Sequence, residues 1–182
     1  AVLSRSQVVV VDLTDPAYGV LVTYHLTLDA DQEVDPLGAA ITPDDRYLLM
    51  SVQGSGDLYA MDLENESINI IDLDAPPAAM AVDSLVDRTA LVFSSRAQVD
   101  ILEHDYFEVE SVALDEPCNA IAETDEGIAV LYNTTASTHD VYRLDLETGD
   151  LVEYRLANPV MSLQLTDDYA YAVALMRTES SG

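Results

Sequence analysis

Lysine is absent from this chain, and seven arginines stand against 34 aspartates and glutamates. The net charge of −27 repels nucleic-acid backbones and anionic lipid surfaces, so neither is an expected partner. Such a carboxylate-rich skin fits a halophilic or secreted protein that stays hydrated in high salt. Cysteine occurs once, which excludes an internal disulfide. Beside Pro117 and ahead of an apolar strand, Cys118 reads as a small core residue rather than a reactive thiol. No run of about 18 apolar residues occurs, so insertion into a membrane is not expected. The start, Ala1-Val2-Leu3-Ser4-Arg5, lacks a Met and a charged-then-apolar leader, and reads as an internal or processed start.

Reactive constellations are equally scarce. His25, His104 and His139 fall in different segments, without the His-x-His or H-E-x-x-H spacing of a zinc or copper site, so no metal ligand is assigned. G-x-S-x-G is missing; Gly54-Ser55-Gly56 is a glycine-flanked turn that needs unusual backbone angles. No glycine-rich phosphate loop leads into a helix, so nucleotide binding is not expected. No catalytic residue and no cofactor is assigned.

What is present is a repeat. Thr42, Asp83, Thr124 and Thr166 mark the same turn, at spacings of 41, 41 and 42 residues. Each turn lies between an alanine-rich strand and a strongly apolar one, as in GAAI-TPDDR-YLLMSV and AAMAV-DSLVD-RTALVF. A period near forty made of short strands predicts an all-β fold of four-stranded antiparallel blades, a β-propeller.

The second strand of each unit is a continuous apolar run (Leu48-Leu49-Met50, Leu91-Val92-Phe93, Ala129-Val130-Leu131, Ala170 to Val173), which predicts burial on both faces. Third strands alternate, with Tyr59, Met61 and Leu63 on one face and Asp62 interleaved, and likewise Tyr142, Leu144 and Leu146 with Asp145, which predicts half-burial. Fourth strands mix charge with apolar residues, as blunted outer edges do. The chain, 1–182, then divides into a half blade at 7–28, full blades at 36–75, 76–116 and 117–158, and a half blade at 159–176. Three full and two half blades form part of a larger ring, of about seven blades, or a closed four-bladed ring whose last blade is shared by both chain ends.

The stretch Val8-Val9-Val10-Val11-Asp12-Leu13-Thr14-Asp15-Pro16 resembles the LVIVD repeat of bacterial and archaeal propeller proteins. Thr42-Pro43-Asp44-Asp45-Arg46-Tyr47-Leu48 and Asp145-Leu146-Glu147-Thr148-Gly149 resemble the YVTN and lactonase-like propeller repeats. Asp44-Asp45 and Asp167-Asp168 stand where those repeats usually carry Asp-Gly, and the Trp-Asp signature of eukaryotic propeller repeats is absent. The resemblance implies a non-catalytic binding or structural module of an exported or cell-surface acidic protein, placed extracellularly or in a periplasm. Its partners would be another protein, a ligand or the remaining blades. The alternative it implies is a propeller enzyme of lactonase or quinoprotein type, with its site at the channel mouth.

Propellers bind at one end of the blades, where second-to-third and fourth-to-first connections gather. The candidate ligand-binding residues there are Arg96, Asn119, Asn133 and His139, with Arg96 and His139 the groups that would meet an anion. Asp44-Asp45, Asp125-Glu126 and Asp167-Asp168 are acidic turns that offer oxygens to calcium, but without the alternating acids and glycine of a dedicated loop they read as solvated turns. Asn65-Glu66-Ser67 and Asn133-Thr134-Thr135 match the glycan acceptor pattern in expected hairpin loops.

Overall fold

A computed structural model describes residues 2–4, 7–11, 19–25, 35–123, 126–135, 138–166 and 170–177. Among these residues every regular element is a β-strand, and each sheet joins strands that are consecutive in the chain. Three sheets are full four-stranded meanders. They comprise β4 (Pro36–Ile41), β5 (Tyr47–Val52), β6 (Asp57–Asp62) and β7 (Ile68–Asp72); then β8 (Ala79–Asp83), β9 (Arg88–Val92), β10 (Gln98–Glu103) and β11 (Val109–Ala113); then β12 (Ala120–Glu123), β13 (Ile128–Tyr132), β14 (Asp140–Asp145) and β15 (Leu151–Arg155). A three-stranded sheet, β1 (Val2–Ser4), β2 (Gln7–Val11) and β3 (Val20–His25), precedes them, and the hairpin of β16 (Val160–Leu165) and β17 (Ala172–Met176) follows. β1 adds a strand that the sequence reading did not anticipate, because three residues are too few to show a period. The expected strand ends at 12–13 and 26–28, and the acidic residues Asp125, Asp167 and Asp168, lie outside the described residues.

Turn chemistry explains why the repeat folds this way. The first-to-second strand turn needs one residue in the left-handed region, and Asp45 (φ 59°), Asp87 (φ 50°) and Gly127 (φ 74°) occupy it in successive sheets. Glu66 (φ 57°), Phe107 (φ 57°) and Gly149 (φ 75°) share the corresponding place between third and fourth strands. Gly54 likewise takes φ 76° in the second-to-third turn. The Thr42 hydroxyl closes its turn by accepting from the Tyr47 N–H (2.9 Å) and donating to Asp44 (2.6 Å), and Thr166 accepts from Tyr171 (3.1 Å). Asp44 is thus a turn-fixing group.

The described chain falls into two compact units, Ala1–Pro76 and Pro77–Gly182. In the first, Val8 and Val10 of β2 pack on Leu48, Met50, Val52 and Met61, joining the three-stranded sheet to the first full blade. In the second, Val99 and Ile101 of β10 pack against Leu131 of β13 and Tyr142 and Leu144 of β14, the same arrangement two repeats on. Each such fully buried Leu contributes about 1.5–3 kcal/mol. Two polar ties reinforce that contact. Asp83 accepts from the Leu85 N–H (2.8 Å) in its own turn and from the Gly127 N–H (2.7 Å) of the following blade. Arg88 donates to the carbonyls of Leu146 and Glu147.

Two burial expectations are corrected. The third strands β6 and β10 are buried on both faces, with Leu58, Ala60, Met61 and Asp62 of β6 all at or below 3% exposure, whereas β2 is mostly half-buried. Asp62 is tolerated there because its carboxylate accepts the Glu64 and Asn65 amides (2.9 Å each), which caps the turn. The backbone N–H of Asn65 is the main reason its pKa is held below the ordinary carboxylate range. β17, by contrast, was expected to be buried like other second strands, yet Val173 is 65% and Leu175 62% exposed. Among the described residues it pairs with β16, whereas β5, β9 and β13 each lie between two strands.

Candidate binding groove on the third full blade

By connectivity, Arg96, Asn119, Asn133 and His139 all belong to one end of the sheets in the second unit. Arg96 lies in the β9–β10 turn, with its guanidinium 3.8 Å from the centre of the Phe93 ring and 3.4 Å from Asp100. Asn119 and Asn133 are brought together. Asn119 accepts from the Thr134 N–H (2.9 Å) and donates to the Thr135 hydroxyl (3.2 Å), while Asn133 donates to the Pro117 carbonyl (2.8 Å) and accepts from the Thr135 N–H (2.9 Å). His139 holds the Leu156 carbonyl at 3.2 Å. These side chains brace two loops against each other, and Arg96 is held separately in the preceding blade. His104 is buried against the Thr89 hydroxyl (2.8 Å), and His25 is exposed in β3, so the histidines do not converge. Among the described residues no three His, Cys, Asp or Glu side chains gather as metal ligands.

Beneath those loops sits the buried Cys118. Burial, and secondarily the charge of Asp140, pushes its thiol up to about 12. Burial pushes the Tyr142 phenol up to about 12 as well, although its oxygen accepts the Glu116 N–H at 3.2 Å. A thiol held protonated in this way is a packing group and not a nucleophile.

A concave feature of the second unit lies elsewhere, between the third full blade and the β16–β17 hairpin. The strand register defines its first wall. Ala122, Val130, Arg143 and Val152 form one cross-strand row, and Ala120, Tyr132, Val141 and Tyr154 form the next. The inner parts of both rows pack on Val160 and Leu163, with Leu165 and Ala174 beside them. The outer parts are more exposed, Val152 at 43% and Tyr154 at 50%. The result is a cavity of about 520 Å³ with mainly aliphatic walls; Tyr154 and Tyr171 stand at its margin, and Glu126 and Arg143 are its charged lining.

Arg143 is the departure from the repeat. Aligned in sequence on Asp12, Asp62, Glu103 and Asp145, the corresponding residues are Val10, Ala60 and Ile101. Ala60 and Ile101 are buried, and Ile101 packs on the next blade. Sequence reasoning missed Arg143 because it looked for chemistry in loops. Comparing the third strands position by position would have found it.

No protein-family model matches this sequence, and no curated protein matches it. Solved structures do match. Dihydro-heme d1 dehydrogenase NirN, in complex with DHE, superposes with a TM-score of 0.74 at 14% identity, over 94% of this chain and 37% of that one. Hydrazine synthase of Kuenenia stuttgartiensis gives 0.67 at 14% identity, over 85% and 47%. The RRP9 WD40 repeats give 0.58 at 14% identity, over 75% and 43%. The fold is therefore an all-β propeller with four-stranded blades, and the chain spans less than half the length of each of these solved chains. Such likenesses include both enzymes and WD40 repeats, and carry the fold alone.

Proposed function

We propose that this chain is a non-catalytic binding module of an exported or cell-surface acidic protein. The observation that carries the reading is the groove: about 520 Å³, apolar-walled, with few polar groups, which is the size and character of sites that hold small molecules. The LVIVD- and YVTN-like stretches and the net charge of −27 support an exported setting. A propeller enzyme would direct its loop-end polar groups at one point; Asn119 and Asn133 instead hydrogen-bond to backbone and hydroxyl groups of the two loops.

The test is equilibrium binding of naphthalene-2-carboxamide, a flat neutral probe. The native chain should bind one equivalent saturably and release it chemically unchanged. Ala174→Trp, which fills the groove from β17, should weaken binding at least tenfold while circular dichroism stays native. Absence of saturable binding, or equal affinity in A174W, would remove the groove as the site.

A further inference from the structure

We infer that the outer edge of β7 is a docking site for an extended segment of another protein, added as a further strand, with two apolar residues at alternate positions between basic ones. The site lies in the first unit and does not depend on the groove. The backbone sets it up. In the β6–β7 pair, the Asp62 N–H donates to the Ser67 carbonyl and the Leu73 N–H to the Gly56 carbonyl, each at 2.8 Å. Those two bonds set the phase of the antiparallel ladder. Ser67, Asn69, Ile71 and Leu73 turn their amides and carbonyls toward β6, and Ile68, Ile70 and Asp72 turn theirs outward. Among the described residues no strand pairs with that outer side.

The side chains make this edge unlike the other fourth strands. Ile68 and Ile70 stand opposite Met61 and Tyr59, part of the apolar packing against β2, and carry that surface out to solvent at 38% and 63% exposure. Soluble proteins ordinarily place charge on such an edge; β11 carries Glu110, and β15 carries Glu153 and Arg155. From Ile68 to Ile71, β7 carries none. An added strand would bring its own side chains level with Ile68 and Ile70 on the same face, where apolar pairs stabilise a ladder.

Charge defines the occupant. Glu64 and Glu66 stand in the turn ahead of β7, and Asp72 and Asp74 at its far end, all exposed, so acids bracket the apolar pair on both sides. The chain has no lysine or arginine between Arg46 and Arg88, and Arg46 faces Asp62 at 3.3 Å. A second copy of β7 laid antiparallel would set the Glu64–Glu66 end of one against the Asp72–Asp74 end of the other, like charge on like, which opposes self-pairing. A strand of the pattern basic-x-apolar-x-apolar-x-basic fits both features. Its apolar pair covers Ile68 and Ile70, and its cations reach the acids at each end.

The test is fluorescence anisotropy, at about 0.15 M salt, of labelled acetyl-Arg-Thr-Val-Thr-Val-Thr-Arg-amide on the full chain, beside the same peptide N-methylated at both valines. The two carry equal charge, but the methylated one lacks the valine amides that would donate to Ile68 and Ile70. Native protein should bind the unmodified peptide saturably, about tenfold or more tighter than its methylated form. Ile70→Pro removes an outward N–H and leaves the ladder to β6 intact, since proline is tolerated on an edge facing solvent. It should weaken binding about tenfold or more, with a native circular dichroism spectrum. Ile70→Lys, which keeps the amide and adds a repelling cation, should weaken it as much, and decides the question if the proline unfolds the blade. Equal affinity for both peptides on native protein would reveal charge attraction alone and overturn the inference. So would no binding, or undiminished binding in I70K or a folded I70P. A dimer seen by light scattering and broken by I70K would assign the edge to a second copy, and also overturns it.

Discussion

Individual residues in this chain act mainly by where they are buried. Cys118 and Tyr142 both hold their protons more tightly in the folded protein, each up to about 12. Groups of this kind add stability below their unfolded values, about 8.5 for a thiol and 10 for a phenol, and that contribution is lost as pH rises toward the folded ones. Stability should therefore fall between roughly pH 8.5 and 12, by about 1.4 kcal/mol per pH unit for each group that has begun to titrate. Urea midpoints at pH 8 and pH 10.5 measure this, and Cys118→Ala should flatten the earlier part of the decline. Iodoacetamide should label Cys118 in urea but not in the native protein; ready labelling of native protein at pH 8.5 would contradict the burial argument. The position of Cys118 was legible from its apolar surroundings. Arg143 was not, because a charged residue in an alternating strand reads by default as solvent-facing.

At the scale of elements, turns are the most transferable part of the sequence. Glu66, Phe107 and Gly149 fill equivalent left-handed positions, and only the last is a residue that adopts them without strain. Glu66→Gly should therefore stabilise the first full blade by about 1 kcal/mol, read as a rise in the thermal midpoint, and Gly149→Ala should cost about as much. Gly56 is different. A Cβ there would stand 2.8 Å from the Asp74 carbonyl carbon and 2.9 Å from the Ala75 nitrogen, so this glycine is required by close approach rather than by φ. The strands themselves were legible because their period and turns agree, as Thr42 and Asp83 illustrate. Burial of β17 was misjudged from the same evidence. An apolar run such as Ala170 to Val173 states a preference for being covered, but whether a strand covers it depends on chain that lies beyond the run. β1 was missed for the opposite reason: it is held by β2, through Val2↔Val9 to Ser4↔Gln7, and not by any pattern of its own.

For the whole molecule, charge dominates. With −27 spread over 182 residues, carboxylate repulsion works against the compact state and is relieved by screening. Melting temperature should rise from low salt to molar sodium chloride, measured by circular dichroism; equal midpoints would show that the acids are too well dispersed to matter. Acid should act on specific groups before it acts on the whole. Asp62 and Asp145 are held low chiefly by the amides of Asn65 and Thr148, so their contribution is complete above roughly pH 4 and disappears as pH falls through their folded values.

Every sheet takes its strands from one uninterrupted stretch of sequence, in order. During synthesis each meander can finish as soon as its last strand leaves the ribosome, without waiting for anything downstream. The vulnerable moment is the interval of some forty residues in which a finished sheet presents a bare side and its cover is still being translated. Stalling at the end of a meander would then leave folded, sticky intermediates instead of unfolded chain, and a chaperone acting on this protein would meet flat hydrophobic faces rather than extended segments.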